Sequence, residues 1–109
     1  MQVDRLKILE NYVSEEPNDP FNHFALALEL TKTDLERAVA KYDYLINHFS
    51  AYLPTYYQYG VLLTDQEKYE KAKSVLSQGI LLAKEKGEER TKKELEGALQ
   101  IAKDESEEW

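Results

Sequence analysis

Apolar and polar positions follow a helical spacing along nearly the whole chain. Between Val3 and Val13 the apolar side chains fall at Leu6, Leu9, Tyr12 and Val13 with charges between them, which predicts a first amphipathic helix. The segment Glu15-Glu16-Pro17-Asn18-Asp19-Pro20 breaks it, and Asp19 with Pro20 is an N-cap followed by the one helical position where a missing N–H costs nothing. A second helix then runs to about Leu30. Thr31 to Asp34 is a polar turn, and Asp34 caps a third helix from Leu35 to about Phe49. Ser50 to Pro54 connects to a fourth helix, Thr55 to Thr64. After Asp65-Gln66-Glu67 a fifth helix spans Lys68 to Lys86, and Gly87 suits the left-handed residue that ends a helix. A sixth starts at Glu88 with acidic residues in its first turn and a stripe of Leu95, Ala98, Leu99 and Ala102. Asp104 to Trp109 is mostly acidic and is expected to fray. The prediction is all-α, with about six helices and no strand.

The pattern of large and small side chains occurs twice, about 34 residues apart. Phe21, Phe24, Ala25 and Leu28 align with Tyr56, Tyr59, Gly60 and Leu63. Leu35, Ala38, Tyr42, Leu45 and Ile46 align with Tyr69, Ala72, Leu76, Gly79 and Ile80. In this alignment the first copy carries one extra residue in its inner turn. A repeat of this period predicts stacked helix pairs, each burying its apolar face against its neighbours. Gly60 is expected to face Ala72, and Ala25 to face Ala38, letting paired helix axes approach closely.

On these residues the chain resembles the tetratricopeptide repeat (TPR) family. The family pattern is an aromatic, a large apolar residue three positions on, a small residue next to it and a Leu or aromatic three further, followed later by Ala and an aromatic. The resemblance covers residues 20 to about 84 and implies a right-handed α-solenoid of helix-turn-helix repeats. It implies a single domain, with residues 20–50 as repeat one and 53–86 as repeat two. Residues 3–15 and 88–104 become capping helices, and 105–109 an acidic tail. Ser50 and Lys84 stand where the family usually has Pro.

In this family the first helix of each repeat lines a concave groove that receives peptides. The residues that the resemblance places there are Asn22, Leu26, Glu29, Leu30, Tyr57, Gln58, Val61, Thr64 and Asp65. One subclass grips the C-terminal carboxylate of heat-shock chaperones with Lys, Asn and Arg. The corresponding positions here hold Asn22, Leu26 and Gln58, which disfavours such a clamp. Arg90, Lys92 and Lys93 are candidates for charge at one end of the groove, but their expected place is the solvated face of the last helix.

Composition narrows the class. A chain of 109 residues with 42% hydrophobic and 32% charged residues has material for one small helical domain. The net charge of −7 repels phosphate backbones and anionic membrane surfaces, arguing against nucleic acid and membrane as partners. There is no cysteine, which removes disulfides and thiolate chemistry. The charged N-terminus shows no signal peptide, and Ile80 to Ala83, the longest apolar run, is far short of a bilayer span. A cytoplasmic protein, complete from Met1, is expected.

Candidate chemistry is sparse. His23 and His48 sit on different helices without metal-ligand spacing, so neither a metal nor a cofactor is expected, and both histidines read as structural. Of the eight tyrosines, Tyr42, Tyr56, Tyr59 and Tyr69 occupy core positions, while Tyr44, Tyr52 and Tyr57 are freer. Trp109 ends the acidic tail. The expected function is a non-enzymatic adaptor binding an unidentified protein or peptide in the groove. The alternative is a structural subunit that forms a homo-oligomer, or docks in a larger assembly, through its helix end faces.

Overall fold

A computed structural model describes residues 4–107. Val3, Glu108 and Trp109, and any role of the last two, lie outside the described residues. The helices are α1 (Arg5–Glu15), α2 (Pro20–Leu30), α3 (Leu35–His48), α4 (Pro54–Asp65), α5 (Tyr69–Lys86) and α6 (Glu89–Ser106), and no strand occurs among the described residues. Helix α6 continues through Ser106, two residues past the end expected for the last helix. There the Gln100 amide donates to the Asp104 carboxylate at 2.9 Å, and the Ser106 hydroxyl donates to the Lys103 carbonyl at 2.9 Å, satisfying one backbone acceptor of the last turn.

Local chemistry sets the helix ends. The carboxylates of Asp4, Asp19 and Asp34 accept from the backbone N–H of Lys7, Phe21 and Arg37 at 3.2, 3.0 and 3.2 Å, capping α1, α2 and α3. Pro54 opens α4. Helices α4 and α5 end in the same hydrogen-bond pair. Lys68 N–H donates to Leu63 and Glu67 N–H to Thr64; Glu88 N–H donates to Ala83 and Gly87 N–H to Lys84. The motif requires a left-handed residue, which is Gly87 at φ 70° in one case and Glu67 at φ 62° in the other. Glycine is recognisable there from the sequence, whereas Glu67 carries no such signal.

The chain divides into two compact units, one of α1–α3 ending at Tyr52 and one of α4–α6 beginning at Leu53. In the first, α2 packs against both α1 and α3; in the second, all three helices touch one another. The buried residues of the first unit are His23, Leu26, Ala27, Leu30, Ala38, Tyr42 and Leu45. Those of the second include Tyr56, Tyr59, Leu63, Ala72, Leu76, Ala83, Leu95 and Ala102.

These lists correct the register of the first copy. Phe21 is 58% exposed, and Phe24, Ala25 and Leu28 are only partly buried. The stripe equivalent to Tyr56, Tyr59, Gly60 and Leu63 is His23, Leu26, Ala27 and Leu30, offset by 33 positions. The second helices keep their offset of 34, with Ala38, Tyr42 and Leu45 matching Ala72, Leu76 and Gly79. The first copy's turn is therefore one residue shorter, not longer. Both stripes on α2 have the spacing i, i+3, i+4, i+7, and this helix is apolar nearly all round, so periodicity alone selects neither. Phe21 suggests the wrong start because the aromatic position is filled by a histidine.

The close helix approaches also differ from expectation. A Cβ added at Gly60 would run into the Leu76 side chain rather than Ala72. One added at Gly79 would lie 2.6 Å from Tyr56 Cβ. Ala25 lines a surface hollow with Arg5 and Leu9 of α1, and Ala27 is the fully buried alanine of α2.

Candidate functional site

Tyr57, Val61, Thr64 and Asp65 fall on one stripe of α4, at i, i+4, i+7 and i+8. They form one wall of a cleft of about 410 Å³ whose other wall is α6, through Lys93, Glu94, Gly97, Ala98, Ile101 and Glu105. Four of the residues expected at a binding face thus come together within the second unit. Gln58, also expected there, is exposed but does not line this cleft. The Thr64 hydroxyl donates to the Gly60 carbonyl at 2.9 Å, so its one proton is used inside α4.

The cleft has an apolar middle and charged ends. Tyr57 is 38% exposed and Ile101 54%, leaving large apolar surfaces open on opposite walls. Its lining carries three carboxylates, Asp65, Glu94 and Glu105, against one ammonium, Lys93. Desolvation first, and then the charges of Glu67 and Glu105, raise the Tyr69 phenol above its usual pKa, which places Glu105 near the α4–α5 turn. Asp65, at the end of α4, borders that turn, so the cleft is most acidic there.

The α6 wall was not expected beyond Lys93, a candidate for charge at one groove end. Its signal is in the sequence: Lys93, Gly97, Ile101 and Glu105 repeat every four residues, and glycine is unusual inside an 18-residue helix.

The four residues expected from α2 behave differently. Leu26 and Leu30 are buried at 4% and 1% exposure, so they are core rather than groove residues. The register shift is the reason, because they occupy the positions of Tyr59 and Leu63. The Asn22 amide donates to the Tyr12 and Glu16 carbonyls at 3.4 and 3.3 Å, tying α2 to the end of α1. Glu29 pairs with Arg5 at 3.5 Å and Lys32 at 3.4 Å. In the corrected register the α2 equivalents of Tyr57, Val61, Thr64 and Asp65 are Phe24, Leu28, Thr31 and Lys32. Leu28, Thr31 and Lys32 line a hollow of about 420 Å³ together with Arg5 and Leu9. Phe24 meets the Tyr52 ring edge-on, with centroids 5.7 Å apart.

Both histidines are held by local structure. His23 is buried, and Nε2 donates to the Pro17 carbonyl at 2.7 Å, since only an N–H can pair with a carbonyl. That tautomer leaves Nδ1 to accept from the Lys41 ammonium at 3.2 Å. The ring packs beside Tyr44 and Phe49, with centroids at 4.9 and 5.6 Å. Lys41 is held below the usual lysine pKa, first by desolvation and then by Arg37. His48 Nδ1 donates to the Tyr44 carbonyl at 3.0 Å and stacks on that ring at 4.1 Å. Among the described residues no cluster of three or more His, Asp or Glu side chains could hold a metal, and no helix is long and apolar enough to cross a membrane.

No family model and no curated protein matches the chain. Solved structures do, among them two tetratricopeptide repeat domain structures. The crystal structure of a tetratricopeptide repeat domain protein from Salinibacter ruber is 35% identical, with a TM-score of 0.73 over 78% of this chain and 97% of that one. A solution structure of a tetratricopeptide repeat domain protein from the same organism is 36% identical, with a TM-score of 0.74 over 79% of this chain and 88% of that one.

Proposed function

Because the chain belongs to the tetratricopeptide repeat family, we propose that it is a non-enzymatic interaction module whose first-helix faces bind a protein or peptide segment. The observation that carries this reading is the α4–α6 cleft, where Tyr57, Val61, Thr64 and Asp65 line an open apolar surface with polar ends. Concave sites of this composition suit peptide recognition, with apolar contacts supplying affinity and edge charges supplying orientation. The α2 residues Phe24 and Leu28, with Asn22 and Glu29 nearby, extend the candidate set in the first unit; Gln58 is a candidate at the exposed edge of α4. An adaptor of this kind acts in the cytoplasm and needs neither cofactor nor metal.

The test is an affinity pulldown from the source cells, using immobilised wild type beside Tyr57→Ala/Ile101→Ala. Both replaced side chains are substantially exposed, so the double variant should keep its circular dichroism. A protein captured by wild type and lost by the variant supports the reading. Identical capture by both rejects it.

A second reading rests on a separate observation. Helix α1 contributes no buried residue, and Ile8 and Tyr12 are exposed on it at 39% and 51%. A structural subunit that self-associates or docks through such a face is the alternative, and light scattering separates the two: a stable dimer favours it, a monomer the adaptor.

A further inference from the structure

Gly97, in the middle of the α6 wall, is a glycine that the chain's own packing does not require. A Cβ added there would meet nothing within 4 Å, whereas Gly60 and Gly79 are each pressed against another side chain. An exposed glycine inside a helix weakens that helix relative to alanine. At Gly97 no neighbouring atom of the chain offsets the loss. What the missing side chain provides is room: it leaves a stretch of α6 backbone bare between Lys93 and Ile101, in the middle of the cleft wall.

We infer that the α4–α6 cleft takes a partner segment that passes close over Gly97, seats one large apolar side chain between Tyr57 and Ile101, and presents a lysine or arginine to the Asp65–Glu105 end. This rests on the interaction-module reading above and specifies its ligand. Three observations fit together. The apolar surfaces of Tyr57 and Ile101 stand open on facing walls. The carboxylates outnumber the one lining cation by three to one, so a basic segment is attracted and an acidic one repelled. The bare backbone at Gly97 admits a closer approach than any other residue type would allow.

The test uses a phage-displayed library of random dodecapeptides panned against wild type, Gly97→Leu and Asp65→Asn/Glu105→Gln. Leucine at position 97 begins in open space, so that variant should fold and fill the cleft; its melting curve checks this. The expected outcome is enrichment on wild type of sequences with a large apolar residue and a nearby Lys or Arg. A fluorescein-labelled copy of an enriched peptide should then lose about tenfold or more affinity on Gly97→Leu, and several-fold on the charge variant, with binding weakened by salt. Peptides held equally well by Gly97→Leu, or enriched peptides that are acidic or lack a basic residue, overturn this inference. If those same peptides are lost by Tyr57→Ala/Ile101→Ala, the interaction module itself stands. No enrichment on wild type overturns both.

Discussion

Tyr42 lies wholly out of solvent, and that burial pushes its phenol up to about 12. The unfolded chain ionises near 10, so above that pH the unfolded state sheds a proton that the native state retains. The stability linked to this group is intact below about pH 10 and disappears as pH climbs towards 12, amounting to roughly 2–3 kcal/mol. Urea titrations at pH 9 and pH 11.5 should show the loss, and Tyr42→Phe should reduce it. Tyr52 and Tyr56 are also raised by desolvation, Tyr52 further by Asp19, and they steepen the same alkaline transition. The glycines give a second test. Gly79→Ala places a methyl against Tyr56 Cβ, which is anchored to backbone, and should destabilise by about 1–3 kcal/mol. Gly97→Ala should instead stabilise by about 0.5–1 kcal/mol, through helix propensity alone. Thermal melts of both variants decide whether close packing or open space surrounds each position.

At the level of elements, α2 shows how much was legible beforehand and where legibility ended. Its existence and both ends followed from Asp19, Pro20 and the polar turn at Thr31, because capping chemistry is local. Which side faces inward did not follow. Phe21, Phe24 and Leu28 compete on equal terms with His23, Leu26 and Leu30, and burial is decided by α1 and α3 packing on this helix. On α4 the resemblance to the repeat family placed Tyr57, Gln58, Val61, Thr64 and Asp65 at the groove in advance, and all but Gln58 line the cleft. The facing wall was missed because α6 read as a cap. Substitution distinguishes the two α2 registers. Leu26→Ala and Leu30→Ala should each cost about 2–5 kcal/mol, while Phe21→Ala should change stability by about 1 kcal/mol or less. The opposite order, in chemical denaturation, would restore the Phe21 register.

For the whole molecule, stability comes from apolar burial and helix ends rather than from ion pairs. Arg37 meets Glu10 at 2.7 Å, yet both side chains are more than 40% exposed, so this bridge contributes little. Burial, however, is unevenly shared. Five helices contribute three or more buried residues each, and α1 contributes none. Its attachments are the Asn22 amide, surface ion pairs and partly covered leucines. The native state therefore has a weak end. In deuterium-exchange mass spectrometry, amides of α1 should exchange by local opening well before those of α5, while the remainder of the protein stays protected. A protease cutting near Pro17 would remove α1 and uncover Ala25 and Leu28 of α2, which line a hollow with Arg5 and Leu9.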